Sequence, residues 1–294
     1  MAIPQIPEVK DLMDAGVHFG HASGKWHPKM APYIFATRDK LHIIDLEKTR
    51  EQLALVLPIL EDRIANGKSF IVVGTKRQVS DSIEEMGERL GISYVNNRWL
   101  GGTMTNFGQM VQSISRMKKT EEILATDEAN KMIKKERVML QHELKRMHAK
   151  FSGLRNFTKK PDFLLIIDPG HEHNAVKEAR FEGIEMFAVV DTNSNPSLVH
   201  HVIPANDDGP KSLKLILKLL EETIQNGLAR QSEVQAQKEQ QTTPKKEEVI
   251  EVATPEVEEL LEVEEKIEAA VDKEKKAVKA AKTTKEEVAT TEEA

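Results

Sequence analysis

Two stretches of the chain interleave aromatic and cationic side chains among glycines, a mixture that suits neither a hydrophobic core nor a hydrolytic centre. The first is Gly20-His21-Ala22-Ser23-Gly24-Lys25-Trp26-His27-Pro28-Lys29-Met30, the second Asn96-Asn97-Arg98-Trp99-Leu100-Gly101-Gly102-Thr103. Lys and Arg neutralise phosphate oxygens, Trp and His stack on exposed bases, and glycine lets the backbone approach a bulky partner. Either tryptophan alone would as readily close the edge of a core, but cations beside both are harder to place there. A third cationic pair, Lys76-Arg77, follows the apolar run Phe70–Val73. That is the C-terminal edge of a sheet, where open α/β folds bind ligands, and Lys with Arg there favours phosphate oxygens.

Signatures of catalysis fail on spacing. Gly67-Lys68-Ser69 looks like the end of a phosphate-binding loop, yet the earlier glycine it requires falls on Asp62 and the triplet precedes its strand. Histidines pair as His18/His21, His171/His173 and His200/His201 without further ligands at metal spacing, and His142-Glu143 has Arg146 where a zinc helix needs its second histidine. Asp168, Asp191 and Asp207 each follow an expected strand and could together hold magnesium. Because Pro169-Gly170, Thr192-Asn193 and Asp208-Gly209 stand beside them, turn and cap chemistry is the favoured reading. No nucleophile with a local base emerges, and the expectation is a non-enzyme with no metal and no cofactor.

The elements that must position these residues follow from periodicity. From Gly67 to Ile224 short apolar runs at 70–73, 92–95, 163–167, 186–190 and 201–203 alternate with helical stripes, among them Val79, Ile83, Met86 and Leu90, and Leu213, Ile216, Leu220 and Ile224. The order fits an α/β fold with a flavodoxin-like five-stranded parallel sheet, strand order 2-1-3-4-5. Thr49 with Gln52 suggests the N-terminal cap of a preceding helix, Pro58 a kink within it, and Asn66-Gly67 its end. Between about 106 and 154 two stripes, Met110, Ile114, Met117, Leu124 and then Ile133, Leu140, Leu144, Met147, Phe151, Leu154, predict an inserted antiparallel coiled-coil hairpin that reverses near Thr126-Asp127. It is mildly basic, with ten Lys/Arg against six Asp/Glu from Arg116 to Lys150.

Composition divides the chain. Residues 231–294 hold 18 acidic and 10 basic side chains of the 48 and 42 in the whole, which leaves the first 230 residues at about +2 and the tail at −8. No aromatic side chain or histidine lies beyond His201. The domain expectation is therefore an α/β body over 1–230 and an acidic, low-complexity, disordered extension over 231–294, with weak helical spacing at Leu260, Val263, Ile267 and Val271. With no cysteine there is no disulfide scaffold, thiolate metal site or cysteine nucleophile. No apolar run approaches a membrane span and the first residues lack a signal segment, so a soluble chain that stays where it was made is expected.

The segments that carry the chemistry also carry a resemblance. Ala15-Gly16-Val17-His18-Phe19-Gly20-His21, Trp26-His27-Pro28-Lys29-Met30, Pro32-Tyr33-Ile34-Phe35, His42-Ile43-Ile44-Asp45-Leu46, Asn97 through Asn106, Glu178-Ala179-Arg180, Val190-Asp191-Thr192-Asn193 and Ile203 through Asp208 resemble the bacterial-type small-subunit ribosomal protein two family, nearly continuously from about Val9 to Leu228. Phe151 through Phe157 and Asp168 through His173 depart from that pattern, and the acidic tail lies outside it. The resemblance implies a cytoplasmic structural constituent of the small (30S) ribosomal subunit, one copy per ribosome. It also implies contact with 16S rRNA between head and body, an N-terminal rRNA-contacting segment over 1–48, and help in seating the largest small-subunit protein.

On this reading Lys25, Lys29, Arg38, Lys76, Arg77, Arg98 and Arg155 contact phosphates, while Trp26, His27, Asn97 and Trp99 supply stacking or base-edge contacts. The alternative is an enzyme or sensor of phosphorylated ligands built on Gly74 to Gln78 and the strand-end aspartates. A third reading is a protein-interaction scaffold built on the helical hairpin.

Overall fold

The computed structural model describes residues 5–126 and 132–242, with side chains to residue 233. The turn of the insertion at 127–131 and the acidic tail from residue 243 lie outside the described residues. The chain divides into two units, Met1–Val234 and Gln235–Ala294.

Five strands, β4 (Phe70–Val73), β5 (Ser93–Val95), β6 (Phe163–Ile167), β7 (Glu185–Val190) and β8 (His201–Pro204), form one parallel sheet in the order β5-β4-β6-β7-β8. This is the expected 2-1-3-4-5 order. The two-residue repeat of a strand sends alternate side chains to opposite faces, and here both faces are covered, so the strands read as unbroken apolar runs. On one face Phe70, Val72, Phe163, Leu165, Phe187 and Val189 pack against α2 (Leu46–Ala65), α3 (Ser80–Leu90) and α7 (Pro210–Thr242). On the other, Ile71, Val73, Leu164, Ile166, Met186 and Ala188 meet α4 (Phe107–Ala125), the end of α5 (Lys134–Phe151) and α6 (His173–Glu182). Phe70 stacks on Phe163 at 5.0 Å and Phe163 meets Phe187 edge-on at 5.3 Å, an aromatic row across the three neighbouring central strands.

The region before the sheet is more structured than periodicity suggested. A short helix, α1 (Val9–Asp14), precedes β1 (Phe19–Ala22), β2 (Ile34–Arg38) and β3 (Leu41–Ile44), an antiparallel sheet in the order β1-β3-β2. Asp39 and Lys40 turn the β2–β3 hairpin with φ of 50° and 63°, the left-handed pair that a tight hairpin requires. The α2 cap also differs from expectation. Asp45, not Thr49, caps the helix, its Oδ1 accepting from the amides of Glu47 (3.0 Å) and Lys48 (3.4 Å). Thr49 is instead fully buried one turn into the helix, and its hydroxyl lies 3.2 Å from the Asp45 carbonyl and 2.7 Å from that of Pro204. That contact ties α2 to the end of β8. The helix runs unbroken through Pro58 and ends at Asn66, followed by Gly67 with φ 74°.

Helices α4 and α5 fill the expected insertion and pack on one another. Arg116 pairs with Glu143 at 2.5 Å and His148 with Glu121 at 3.0 Å. Met110, Ile114 and Met117 of α4 are buried, whereas α5 buries only Phe151 and leaves Met139 63% exposed. The body's last helix, α7, continues in its backbone to Thr242, past the residue 230 boundary expected from composition.

Replacing Thr49 by Val removes a buried donor while keeping the side-chain volume, and leaves the Pro204 carbonyl without its partner. We expect a loss of about 1–3 kcal/mol, read as a lower urea midpoint of the full chain; an unchanged midpoint would show that this link between α2 and β8 contributes nothing.

Candidate nucleic-acid interface

Three strands of the parallel sheet end on aspartates. Asp168 follows β6, Asp191 follows β7 and Asp207 lies just beyond β8, each nearly inaccessible to solvent. Lys76, from the loop after β4, reaches into their midst. Its Nζ lies 2.8 Å from Asp168 Oδ2, 2.9 Å from Asp207 Oδ1 and 2.9 Å from Asp208 Oδ1. His21 approaches from the N-terminal sheet, with Nδ1 3.1 Å from Asp191 Oδ2 and Nε2 3.3 Å from Asp208 Oδ2. The turn reading of the aspartates holds in part. Asp168 Oδ1 accepts from the amides of Gly170 and His171, and Asp191 Oδ1 accepts from the Thr192 hydroxyl at 3.0 Å. Their other oxygens face the lysine and the histidine, a convergence that turn signals do not reveal.

The assignment of Lys76 to an RNA phosphate is accordingly corrected, because its ammonium is spent inside the protein. Burial and the neighbouring carboxylates of Asp168 and Asp191 push Asp207 up to about 8. Burial acts against the charge of Asp168 too, but the hydrogen bond and charge of Lys76 outweigh it and hold that carboxyl below its usual range. The Asp207 and Asp168 carboxylates raise Lys76 in spite of its burial. His21 is raised chiefly by its hydrogen bond to Asp191, against burial. Ligand-type atoms of His21, Asp191 and Asp207 lie within 4.8 Å of one another, a set able to hold a cation. Lys76 already supplies positive charge to Asp207 from 2.9 Å.

The second basic segment lines a groove. Asn97, Arg98, Trp99, Leu100 and Gly101 form one wall, Arg146, Ala149 and Lys150 of α5 another, and Asn174, Lys177 and Glu178 of α6 a third, around a cavity of about 720 Å³. One carboxylate fixes this loop. Glu178 Oε1 accepts from Trp99 Nε1 (3.1 Å) and the Gly102 amide (2.8 Å), and Oε2 from the amides of Met104 (3.0 Å) and Thr105 (3.4 Å). Trp99 is consequently 5% exposed with its indole N–H satisfied. Its stacking role is corrected, since a ring 5% exposed has little open surface for a base. Asn97 donates its amide to the Ala149 carbonyl at 3.0 Å, which joins the loop to α5 and leaves Oδ1 for a ligand. Arg155 holds Glu121 of α4 at 3.2 and 2.7 Å, away from the lining of this groove. Arg98 remains exposed, and Arg146, Lys150 and Lys177 join it from sequence positions that composition marked only as part of a mildly basic insertion or not at all.

In the N-terminal segment Lys25, Lys29 and Trp26 face outward, Trp26 38% exposed with its ring 5.2 Å from His42. His27 is partly spent on the fold: Nδ1 accepts from the Lys29 amide at 3.2 Å and caps the short helix Pro28–Tyr33. Arg38 and Arg77 are exposed. A feature without a sequence signal is an apolar hollow of about 340 Å³ lined by Val9, Met13, His18, Phe35, Ile43 and Leu46, with Phe35 75% exposed.

The carboxylates are turned inward on a lysine and on loop amides while the cations point outward, the organisation of a binding protein. The profile of the family described as Ribosomal protein S2 matches residues 12–227. The chain is 45% identical over 209 residues to the small ribosomal subunit protein uS2 of Thermus thermophilus, covering 71% of this chain and 82% of the relative. It is 40% identical over 253 residues to that of a Nitratiruptor species (84% and 95%) and 44% over 219 residues to that of Dictyoglomus thermophilum (74% and 89%). The chain belongs to the ribosomal protein S2 family, whose members are structural components of the small subunit and not enzymes. No helix among the described residues is long and apolar enough to cross a membrane.

Lys76→Met strands buried carboxylates without their countercharge, and we expect it to cost roughly 3–5 kcal/mol of stability in chemical denaturation; a loss below 1 kcal/mol, an order-of-magnitude threshold set by solvated surface pairs, would place the lysine in solvent. The pH dependence has a definite sign. His21 and Asp207 both carry more protons in the folded than in the unfolded chain, so their contribution is fully present below the unfolded values and is lost as pH rises through the folded ones. The denaturation midpoint should fall between about pH 6 and pH 9, and Asp207→Asn should flatten that slope; a midpoint that rises over this range would refute the raised affinity of His21 and Asp207 for protons in the folded chain.

Proposed function

We propose that the protein is a structural constituent of the 30S subunit that binds 16S rRNA between head and body, resides in the cytoplasm as one copy per ribosome, and helps seat the largest small-subunit protein. The observation that carries this reading is the set of outward cations around one groove, Arg98 on the loop held by Glu178, Arg146 and Lys150 on α5 and Lys177 on α6. Charge held on fixed elements meets phosphate without further ordering cost, and so sets register on a folded RNA. Lys25, Lys29 and Arg38 extend the contact onto the N-terminal segment, with Trp26 as its one substantially exposed indole, and Arg77 onto the loop after β4. The body's small net charge of +2 favours docking on an already assembled ribonucleoprotein surface over capture of naked RNA.

Helices α4 and α5 form the protruding coiled-coil hairpin in this reading, a second clamp on rRNA or neighbouring proteins. The hollow around Phe35 is the better surface for a protein neighbour, because it is apolar and its rim carries Asp45 and Glu47 instead of cations. The alternative reading, a sensor of phosphorylated ligands at the sheet edge, loses its principal cation with Lys76 committed to three aspartates.

Sedimentation of a native lysate tests the proposal. The chain should travel with the small subunit at low salt and be partly released at about 0.5 M, where exposed charges are strongly screened. Arg98→Ala should be released at lower salt than the unaltered chain. Migration at the top of the gradient in both conditions would overturn the ribosomal assignment, and unchanged salt resistance of the variant would remove Arg98 from the interface.

A further inference from the structure

The groove between the Asn97–Gly101 loop, α5 and α6 differs from a flat phosphate-binding face in shape, charge and lining. Resting on the reading that this protein binds rRNA, we infer that the groove receives unpaired nucleotides, with a base on its floor and phosphates on its walls, and does not track the backbone of a duplex. Its volume of about 720 Å³ lies within the range of concave small-ligand sites. An A-form helix is a convex rod read through its backbone and shallow groove, whereas an unstacked nucleotide is a compact body that enters a cavity.

Charge supports the same occupant. Arg98, Arg146, Lys150 and Lys177 come from three separate elements and are all exposed, and none of them makes an ion pair among the described residues. The one carboxylate in the lining, Glu178, has both oxygens engaged by the loop. The walls are therefore cationic with no competing free anion, which suits two or more phosphates along a bent single strand. Leu100 and Trp99 give the lining an apolar part, and the free Oδ1 of Asn97 with the exposed amide of Asn174 offers both acceptor and donor to a base edge. Because Glu178 and the Asn97 link to Ala149 fix the loop before any ligand arrives, the cavity is ready-made.

Gly101 provides a test that leaves charge untouched. A Cβ built there meets nothing within 4 Å, and unlike Gly102 (φ 92°) the residue lies outside the left-handed region. Gly101 lines the groove, so Gly101→Leu adds apolar bulk at its wall without a clash in the protein. Full-length protein is titrated at low salt into two fluorescently labelled RNAs of equal phosphate number, an unstructured eight-nucleotide strand and a fully paired hairpin, followed by anisotropy. The single strand should bind about tenfold more tightly than the hairpin, and Gly101→Leu should erase that difference, the increment expected for one seated base, with an unchanged melting temperature and unchanged hairpin affinity.

Equal affinity for both RNAs, no binding of either, or an unaffected preference in Gly101→Leu would overturn the inference. So would displacement of the strand by polyglutamate at the same carboxylate concentration, which would make the groove an acidic-peptide site. The two readings fail separately: an unaltered chain that sediments with the small subunit at low salt while showing no preference for the single strand removes the nucleotide pocket and leaves the ribosomal assignment standing.

Discussion

Parallel strands that end side by side on aspartates cannot stay together unaided, because at separations near 4 Å each like-charged pair costs on the order of 4 kcal/mol even at an effective dielectric of 20. The ammonium of Lys76 relieves that repulsion from within, touching Asp168, Asp207 and Asp208, while His21 takes the remaining face of Asp191. Everything at the C-terminal edge of the sheet hangs on this centre. Thr192, next to Asp191, accepts the His27 amide at its carbonyl and the His21 amide at its hydroxyl, and the Asn206 side chain donates to the Gly16 carbonyl. The N-terminal sheet is thereby fastened to the parallel one, and Lys25, Trp26 and Lys29 acquire a fixed direction.

Glu178 does for the second basic segment what the aspartates do for the first. A carboxylate is spent on the backbone amides of one loop, and the cost of burying it is offset by several donors at once. In both places the carboxylates serve the architecture, while Lys25 and Lys29 beside the first and Arg98 beside the second stay exposed. That division explains how a body of nearly neutral net charge can present locally positive surfaces.

The sheet was readable in the sequence because its strands are buried on both faces, so each appears as an uninterrupted apolar run, and the helices because their stripes keep the 3.6 period. The N-terminal antiparallel sheet escaped notice for the opposite reason. Its strands are short and half exposed, with Phe19 and Phe35 facing outward at 47% and 75%, so they lack both a run and a clean alternation. At the site, residue type indicated the chemistry but not its direction. Lys76 and Arg77 are adjacent in sequence, yet one points into a carboxylate centre assembled from three strands and the other into solvent. Asn97, Arg98 and Trp99 stand together in the sequence, whereas Arg146, Lys150 and Lys177 join them only where α5 and α6 meet the loop. The α2 cap was misplaced by one turn because Thr49 is a good cap by type, and its buried bond to Pro204 is a tertiary fact.

The pairing of β4 with β6 has a consequence for how the chain reaches this structure. Phe70 pairs with Phe163 in register at the centre of the sheet, across a stretch that includes β5 and both helices of the insertion. Such non-local contacts close late and slow folding. While the chain is being synthesised, β4 has one central edge and much of both faces bare for on the order of ten seconds at ordinary elongation rates. The central pair of the sheet therefore cannot form until the chain has grown past Phe163. Until β6 emerges, the apolar faces and free edge of β4 are surfaces open to wrong pairing.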